Sequence, residues 1–235
     1  MDALILAAGR GTRMGNLEIP KCLLDLGGIT ILDYQIKCFK QVGIKNIFIV
    51  TGYNSEMISN HLHEKVTFLH NPDFASTNNL YSLWYAKDVL KDDFVCVYSD
   101  LFFHQKILQK CISDENQICL AVERNIRDET MRVKIKNDLI VEVNKQIPME
   151  FANGNFIGMS KFKKNSVLSL FESISKLISE NNLNSYYTLA IEDLIKNDHD
   201  VSFIETENLP WMDIDEQSEI IDARKSYQKT IGVES

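Results

Sequence analysis

Residues 3–15 read ALILAAGRGTRMG, and the reading of this stretch decides the fold. Residues 3–7 are apolar without alternation, the pattern of a strand covered on both faces. The run then breaks at Gly9, Gly11 and Gly15. Glycines let backbone N–H groups come close to an anion. The spacing GxGxxxG is one residue longer than the dinucleotide pattern GxGxxG, which also wants an acid at the end of the second strand. That strand ends in Thr51-Gly52 instead. A Walker loop, GxxxxGK followed by Ser or Thr, is not formed either. A plain structural turn with surface arginines is the third reading. Arg10, Arg13 and the nearby Pro20-Lys21 count against it. A triphosphate carries about four negative charges, and the fork of Arg13 and the point charge of Lys21 suit such an anion.

Outward from this loop the chain alternates. Residues 31–42 form a helical stripe of Leu32, Ile36, Phe39 and Val42, closed by Gly43. Residues 46–51 read as a buried strand, 55–62 as a short helix and 66–69 as a third strand. Residues 78–90 read as a helix with Thr77 or Asn78 as N-cap. Residues 94–98 are a fourth strand running into Ser99-Asp100. Such alternation predicts a parallel, doubly wound sheet, whose sites lie past the carboxyl ends of the strands. Gly9, Gly52 and Asp100 then share one rim. The second half changes character: a strand at 118–122, a hairpin over 131–143 turning at Asn137-Asp138, and a strand at 156–159. Helices follow at 164–178 and 187–195, short strands at 201–204 and 211–214, and a helix from 216 onward. The expected fold is α/β, a Rossmann-like doubly wound, mostly parallel sheet with a small additional β region. One domain covers 1–235, with a nucleotide-binding half at 1–100 and an acceptor-binding half at 101–235.

Composition limits the partners. Against 25 basic residues stand 33 acidic ones, a net charge of -8, which argues against a nucleic-acid duplex. No apolar run reaches the ~20 residues of a membrane span, and the opening run lacks the basic flank of a signal peptide. The five cysteines are Cys22, Cys38, Cys96, Cys111 and Cys119. They are odd in number and form no CxxC pair, so the expectation is a cytoplasmic protein with reduced thiols. The histidines at 61, 63, 70, 104 and 199 show no ligand spacing, and no Ser-His-Asp or Cys-His pairing stands out.

The motif Gly9-Arg10-Gly11-Thr12-Arg13-Met14 with Pro20-Lys21 resembles the signature of the nucleotidylyltransferases, which sugar-phosphate and choline-phosphate enzymes share. The resemblance implies a loop of Ala7, Ala8, Gly9, Arg10, Gly11 and Thr12 wrapped around a nucleoside triphosphate. It implies Arg13 on the departing pyrophosphate and Lys21 on the α-phosphate. Thr77, Asn78, Asn79 and Ser82 resemble the segment that lies against the nucleoside in the bacterial CTP:phosphocholine cytidylyltransferase branch. An asparagine offers a pyrimidine edge both donor and acceptor. Asp100 follows the fourth strand as the family's metal-binding aspartate does. Asp213 and Asp215 stand two apart on an expected strand and share a face; the related motif reads Trp-x-Glu-Ile-Asp. Carboxylates beside a triphosphate repel unless a cation sits between, and Mg²⁺ is the natural one. The resemblance thus implies Asp100 and Asp215 on metal, with Asp213 near the acceptor.

For the acceptor, the resemblance implies Lys145 and Gly158, and Tyr186 or Tyr187 could offer an aromatic wall. Choline needs aromatic faces around its ammonium, and the hairpin holds no tryptophan where the choline enzymes supply one. CTP:phosphoglutamine cytidylyltransferase of capsule phosphoramidate synthesis fits a less aromatic pocket. The expected reaction joins CMP from CTP to a small phosphorylated acceptor, phosphoglutamine before phosphocholine or a related phospho-amine or phosphonate. The alternatives are a sugar-1-phosphate transferase using UTP or dTTP, a nucleotide-binding module without catalysis, and a nicotinamide-dependent oxidoreductase.

Overall fold

The computed structural model describes residues 1–11, 18–127 and 130–233, except for the side chains of 217 and 231–233. Thr12 and Arg13 lie outside the described residues. The first half follows the expected alternation. Strand β1 (Asp2–Ala7) leads to the glycine loop, then to α1 (Ile31–Gln41), whose N-cap Thr30 accepts from the Asp33 N–H. β2 (Ile47–Thr51), α2 (Ser55–His61), β3 (Thr67–His70), α3 (Asn79–Trp84) and β4 (Phe94–Tyr98) follow. Helix α3 is shorter than expected. After Trp84 the chain continues to Leu90 in turns with bonds such as Ala86 N–H to Leu83 O.

The second half holds two elements that the sequence reading lacked: β5 (Leu101–Phe103) and α4 (Gln105–Ser113). The signal for α4 was present, since Ile107, Leu108 and Cys111 make an apolar stripe and are buried. β6 (Ile118–Glu123), the hairpin of β7 (Met131–Lys136) and β8 (Leu139–Asn144), and β9 (Gly154–Phe162) come next. The hairpin turns at Asn137 and Asp138, both at positive φ, the geometry that short asparagine and aspartate side chains tolerate. α5 (Lys164–Ser179), α6 (Thr188–Lys196), β10 (Val201–Glu205), β11 (Trp211–Asp213) and α7 (Gln217–Val233) complete the chain.

The main sheet runs β10-β6-β9-β4-β1-β2-β3, with the β7–β8 hairpin attached through β9. The pairs β1–β2, β1–β4, β2–β3 and β10–β6 are parallel. β9 is antiparallel to both β4 and β6 and joins the two halves into one sheet. It therefore leaves β6 parallel to β4 and β1, so the ends of β1, β4 and β6 face the same rim. Apolar side chains bury on both faces. One layer centres on Ile5, Phe39 and Phe102, the other on Leu4, Phe94 and Leu170. This two-sided burial explains why the central strands read as unbroken apolar runs. The small β11–β5 ribbon lies apart from the main sheet.

Candidate functional site

A cleft of about 680 Å³ opens on this rim, a size suited to a small ligand. Its floor is the turn after β1. Ala7, Ala8, Gly9, Arg10 and Gly11 all line it, and Lys21 stands beside them. Gly11 sits at φ +63, and a Cβ there would lie 2.7 Å from the Lys21 Cγ. The glycine is what lets the lysine lie across the loop. Lys21 opens a 3₁₀ turn (Lys21–Leu23) that follows Pro20. Arg10 extends over the Phe74 ring at 5.4 Å.

Lys21 is the centre of an acidic set. Its side chain is only 10% exposed, and Nζ donates to Asp215 Oδ1 at 2.5 Å and lies 3.5 Å from Asp100 Oδ2. The acids arrive from distant parts of the chain. Asp100 sits between β4 and β5. Its carbonyl accepts from the Ile214 N–H at 3.1 Å, so the end of β11 is tied to the end of β4. β11 stops at Asp213, one residue earlier than expected, and Asp215 reaches the set from beyond the strand. One oxygen from each of Asp100, Asp213 and Asp215 lies within 4.8 Å of the others. Burial works against the Lys21 charge, but Asp100 and Asp215 outweigh it and raise its pKa, so it stays an ammonium. Burial and the neighbouring Asp215 push Asp100 up, with Lys21 opposing. Asp213 is raised well above the usual carboxylate range by crowding in the cleft and by Asp100 and Asp215. The donor set is all-oxygen, close-spaced and mutually repulsive, which fits a hard divalent cation such as Mg²⁺.

Thr77, Asn78, Asn79 and Ser82 line the opposite wall. Fully buried Asn71 holds two of them, donating to Thr77 Oγ1 at 3.2 Å and to Ser82 Oγ at 3.1 Å. Asn78 caps α3, and Asn79 Oδ1 accepts from the Tyr187 N–H at 2.7 Å.

At the far end stands Lys145, whose Nζ donates to Tyr186 Oη at 3.3 Å and lies 4.8 Å from the centre of that ring. Two expectations need correction here. Tyr187 does not reach the cleft. It is fully buried, its hydroxyl paired with Ser160 at 2.9 Å, because the first turn of α6 directs it into the core; Tyr186 is the cleft tyrosine. Gly158 does not line the cleft either. It sits at φ +91, and a Cβ would stand 2.5 Å from Cδ2 of Tyr98, so its role is to admit the Tyr98 ring that does line the cleft.

Arg127, Thr130 and Trp211 also line this end. The rim rule that selects Asp100 would have selected Arg127 as well, because it follows the carboxyl end of β6. Trp211 is held from behind, its Nε1 donating to Glu123 Oε2 at 3.0 Å. Burial raises the Glu123 pKa, but bonds from the Asn125 N–H, Trp211 and Thr206 outweigh it, and the net shift is downward.

A glycine turn after the first strand, a buried lysine and a converging acidic set agree with the comparison to known domains. The model of the MobA-like NTP transferase domain matches residues 3–149. The chain belongs to this family of NTP transferases. As a member it is a nucleotidyltransferase. Among similar proteins is the CTP:phosphoglutamine cytidylyltransferase of Campylobacter jejuni, 27% identical over 94% of this chain and 98% of that protein. The choline-phosphate cytidylyltransferase of Streptococcus pneumoniae is 38% identical over 40% of this chain and 43% of its own length. The inositol-1-phosphate CTP transferase structure from T. maritima shares the fold, with a TM-score of 0.78 and 18% identity over 96% of this chain and 95% of that one. Among the described residues, no helix of this NTP transferase is long and apolar enough to cross a membrane. All five cysteines are buried.

Proposed function

We propose that the protein transfers the cytidylyl group of CTP to a small phosphorylated acceptor and releases pyrophosphate. The observation that carries this reading is Lys21, held between Asp100 and Asp215 where the glycine loop meets the acidic set. A phosphoryl oxygen of the acceptor attacks the α-phosphorus and forms a new P–O bond. The bond from that phosphorus to the oxygen bridging to the β-phosphate breaks, and its electron pair leaves with pyrophosphate. The acceptor phosphate is already an anion near neutral pH and needs no general base. Catalysis is then positioning and charge neutralisation. Lys21 meets the α-phosphate, Arg13 the departing pyrophosphate, and the 7–12 loop the phosphate chain. Thr77, Asn78, Asn79 and Ser82 face the nucleoside. Lys145 takes the acceptor's phosphate, with Asp213 beside it. Asp100 and Asp215 would hold Mg²⁺, which supplies positive charge to the phosphates when bound.

CTP as donor is supported by what the Campylobacter and Streptococcus proteins are named for. Phosphoglutamine as acceptor is supported by the first of these and by the absence of tryptophan from residues 131–144. The test is a matrix of CTP, UTP, ATP, GTP and dTTP against phosphoglutamine, phosphocholine, phosphoethanolamine, 2-aminoethylphosphonate and sugar phosphates, with Mg²⁺ and read as pyrophosphate release. Release with CTP and a phospho-amine or phospho-amino acid is expected. Release only with UTP or dTTP and a sugar phosphate would overturn the reading, and so would nucleotide binding without release for every acceptor.

A further inference from the structure

The acceptor end of the cleft has two aromatic faces, and a cation of the protein already covers each. The Arg127 guanidinium lies over the Trp211 ring at 4.4 Å, and the Lys145 ammonium over Tyr186 at 4.8 Å. A quaternary ammonium would have to displace these charges to reach the rings, and like charges repel at such range. Among the described residues neither cation forms a salt bridge and no hydrogen bond uses the Arg127 guanidinium, although its charge reaches Glu123 and helps to lower that carboxyl's pKa. The nearby acid, Glu123, is occupied by Trp211, Thr206 and the Asn125 N–H.

Arg127 is also held in place. Its N–H donates to Asn155 Oδ1 at 3.3 Å, and Thr130 Oγ1 donates to the same oxygen at 2.7 Å and to the Arg127 carbonyl at 3.0 Å. Asn155 is fully buried and donates in turn to the Asn125 carbonyl at 2.6 Å. A guanidinium over an aromatic ring, with none of its N–H groups in a hydrogen bond, keeps those donors for a planar anion. Trp211, on which this guanidinium lies, stands two residues before Asp213 on β11, about 6–7 Å along the strand. An acceptor with a phosphate for Lys145 and a second anion at its other end suits two cations that line one cleft.

We propose that Arg127 reads a carboxylate on the acceptor, making this an enzyme for phosphorylated carboxylic acids, amino acids included, that rejects quaternary amines. This rests on the cytidylyl-transfer reading for the acceptor's phosphate, and the experiment separates the two. Phosphoserine is phosphoethanolamine with an added carboxylate, and phosphocholine is phosphoethanolamine with an N-methylated amine. Binding of these three and of phosphoglutamine is measured by calorimetry on wild type, Arg127→Gln and Arg127→Lys, with Mg²⁺ present; pyrophosphate release from CTP is measured separately.

A charge-assisted contact predicts a roughly 10- to 100-fold preference of wild type for phosphoserine over phosphoethanolamine. Arg127→Gln collapses that ratio, and Arg127→Lys keeps part of it. Equal binding of the two by wild type overturns the proposal. So does a ratio unchanged in Arg127→Gln, phosphocholine bound as well as phosphoglutamine, or no binding of any carboxylate acceptor at millimolar concentration. An Arg127-dependent preference without pyrophosphate release from any nucleotide keeps this proposal and overturns the transfer reading. Release from CTP with no carboxylate preference does the reverse.

Discussion

Two cationic regions line one cleft, and they are built in opposite ways. Lys21 is enclosed by carboxylates, with Asp215 at 2.5 Å and Asp100 at 3.5 Å. Lys145 and Arg127 lie on the rings of Tyr186 and Trp211 and form no salt bridge among the described residues. A lysine whose charge is already balanced cannot hold a free anion strongly by itself. With Mg²⁺ held by Asp100 and Asp215 as proposed, Lys21 would be left free to meet a phosphate. Cations laid on aromatic rings remain ready for an anion. The difference separates the part of the site that would do the chemistry from the part that would choose the acceptor.

The contrast breaks most sharply at Lys21. Lys21→Ala is expected to lower the rate of pyrophosphate release by ~100-fold or more, the scale of losing one preorganised charge at a transition state. Circular dichroism should show the fold retained. A wild-type rate would remove Lys21 from its proposed role. Asp215→Asn comes next. It removes a proposed metal ligand and also the Lys21 partner, and the Mg²⁺ needed for half-maximal rate should rise about 10- to 100-fold. An unchanged Mg²⁺ dependence would say that Asp100 and Asp213 suffice.

On the acceptor side the expected effects are structural and smaller. Gly158→Ala puts a Cβ against the Tyr98 ring at a positive φ. It should cost about 2 kcal/mol, read as a fall in melting temperature of roughly 4–8 °C. Unchanged melting would mean that Tyr98 can swing away freely. The smallest effect concerns Glu123, which anchors Trp211. Its folded pKa is lowered, so its contribution is present above the unfolded value near 4.3 and is lost as pH falls through the folded one. Glu123→Gln should therefore be less stable than wild type by about 1 kcal/mol at neutral pH. The gap should close on acidification below about pH 4. A gap that stayed constant in denaturant titrations from neutral pH to pH 3 would show that the carboxylate's charge is not what holds Trp211.

The donor side was largely legible in the sequence because its signals are local. A strand, a glycine turn and a lysine after proline are contiguous, and Asp100 follows its strand directly. The rim rule then placed the loop and Asp100 together without a structure. The acceptor side was less legible because its geometry depends on packing. Tyr186 and Tyr187 are adjacent in sequence, and only the start of α6 decides that one faces the cleft and the other the core. The importance of Gly158 runs through Tyr98, a residue remote in sequence and opposite it across β4 and β9. Asp213 and Asp215 were expected to share a strand face. They come together instead through a strand end tied to the Asp100 carbonyl. Arg13, central to the sequence argument, lies outside the described residues.

The single backbone bond from Ile214 to Asp100 also gives the site a place in time. During synthesis the donor loop and the first parallel strands can form long before residues 211–215 leave the ribosome. Until then Lys21 lacks Asp215, and Asp100 stands without the other two acids. A nascent chain could therefore carry the nucleotide loop but not the acidic set, and the centre would be assembled only when the last strand docks. Emergence of residues 211–215 and completion of the proposed catalytic centre would be the same event.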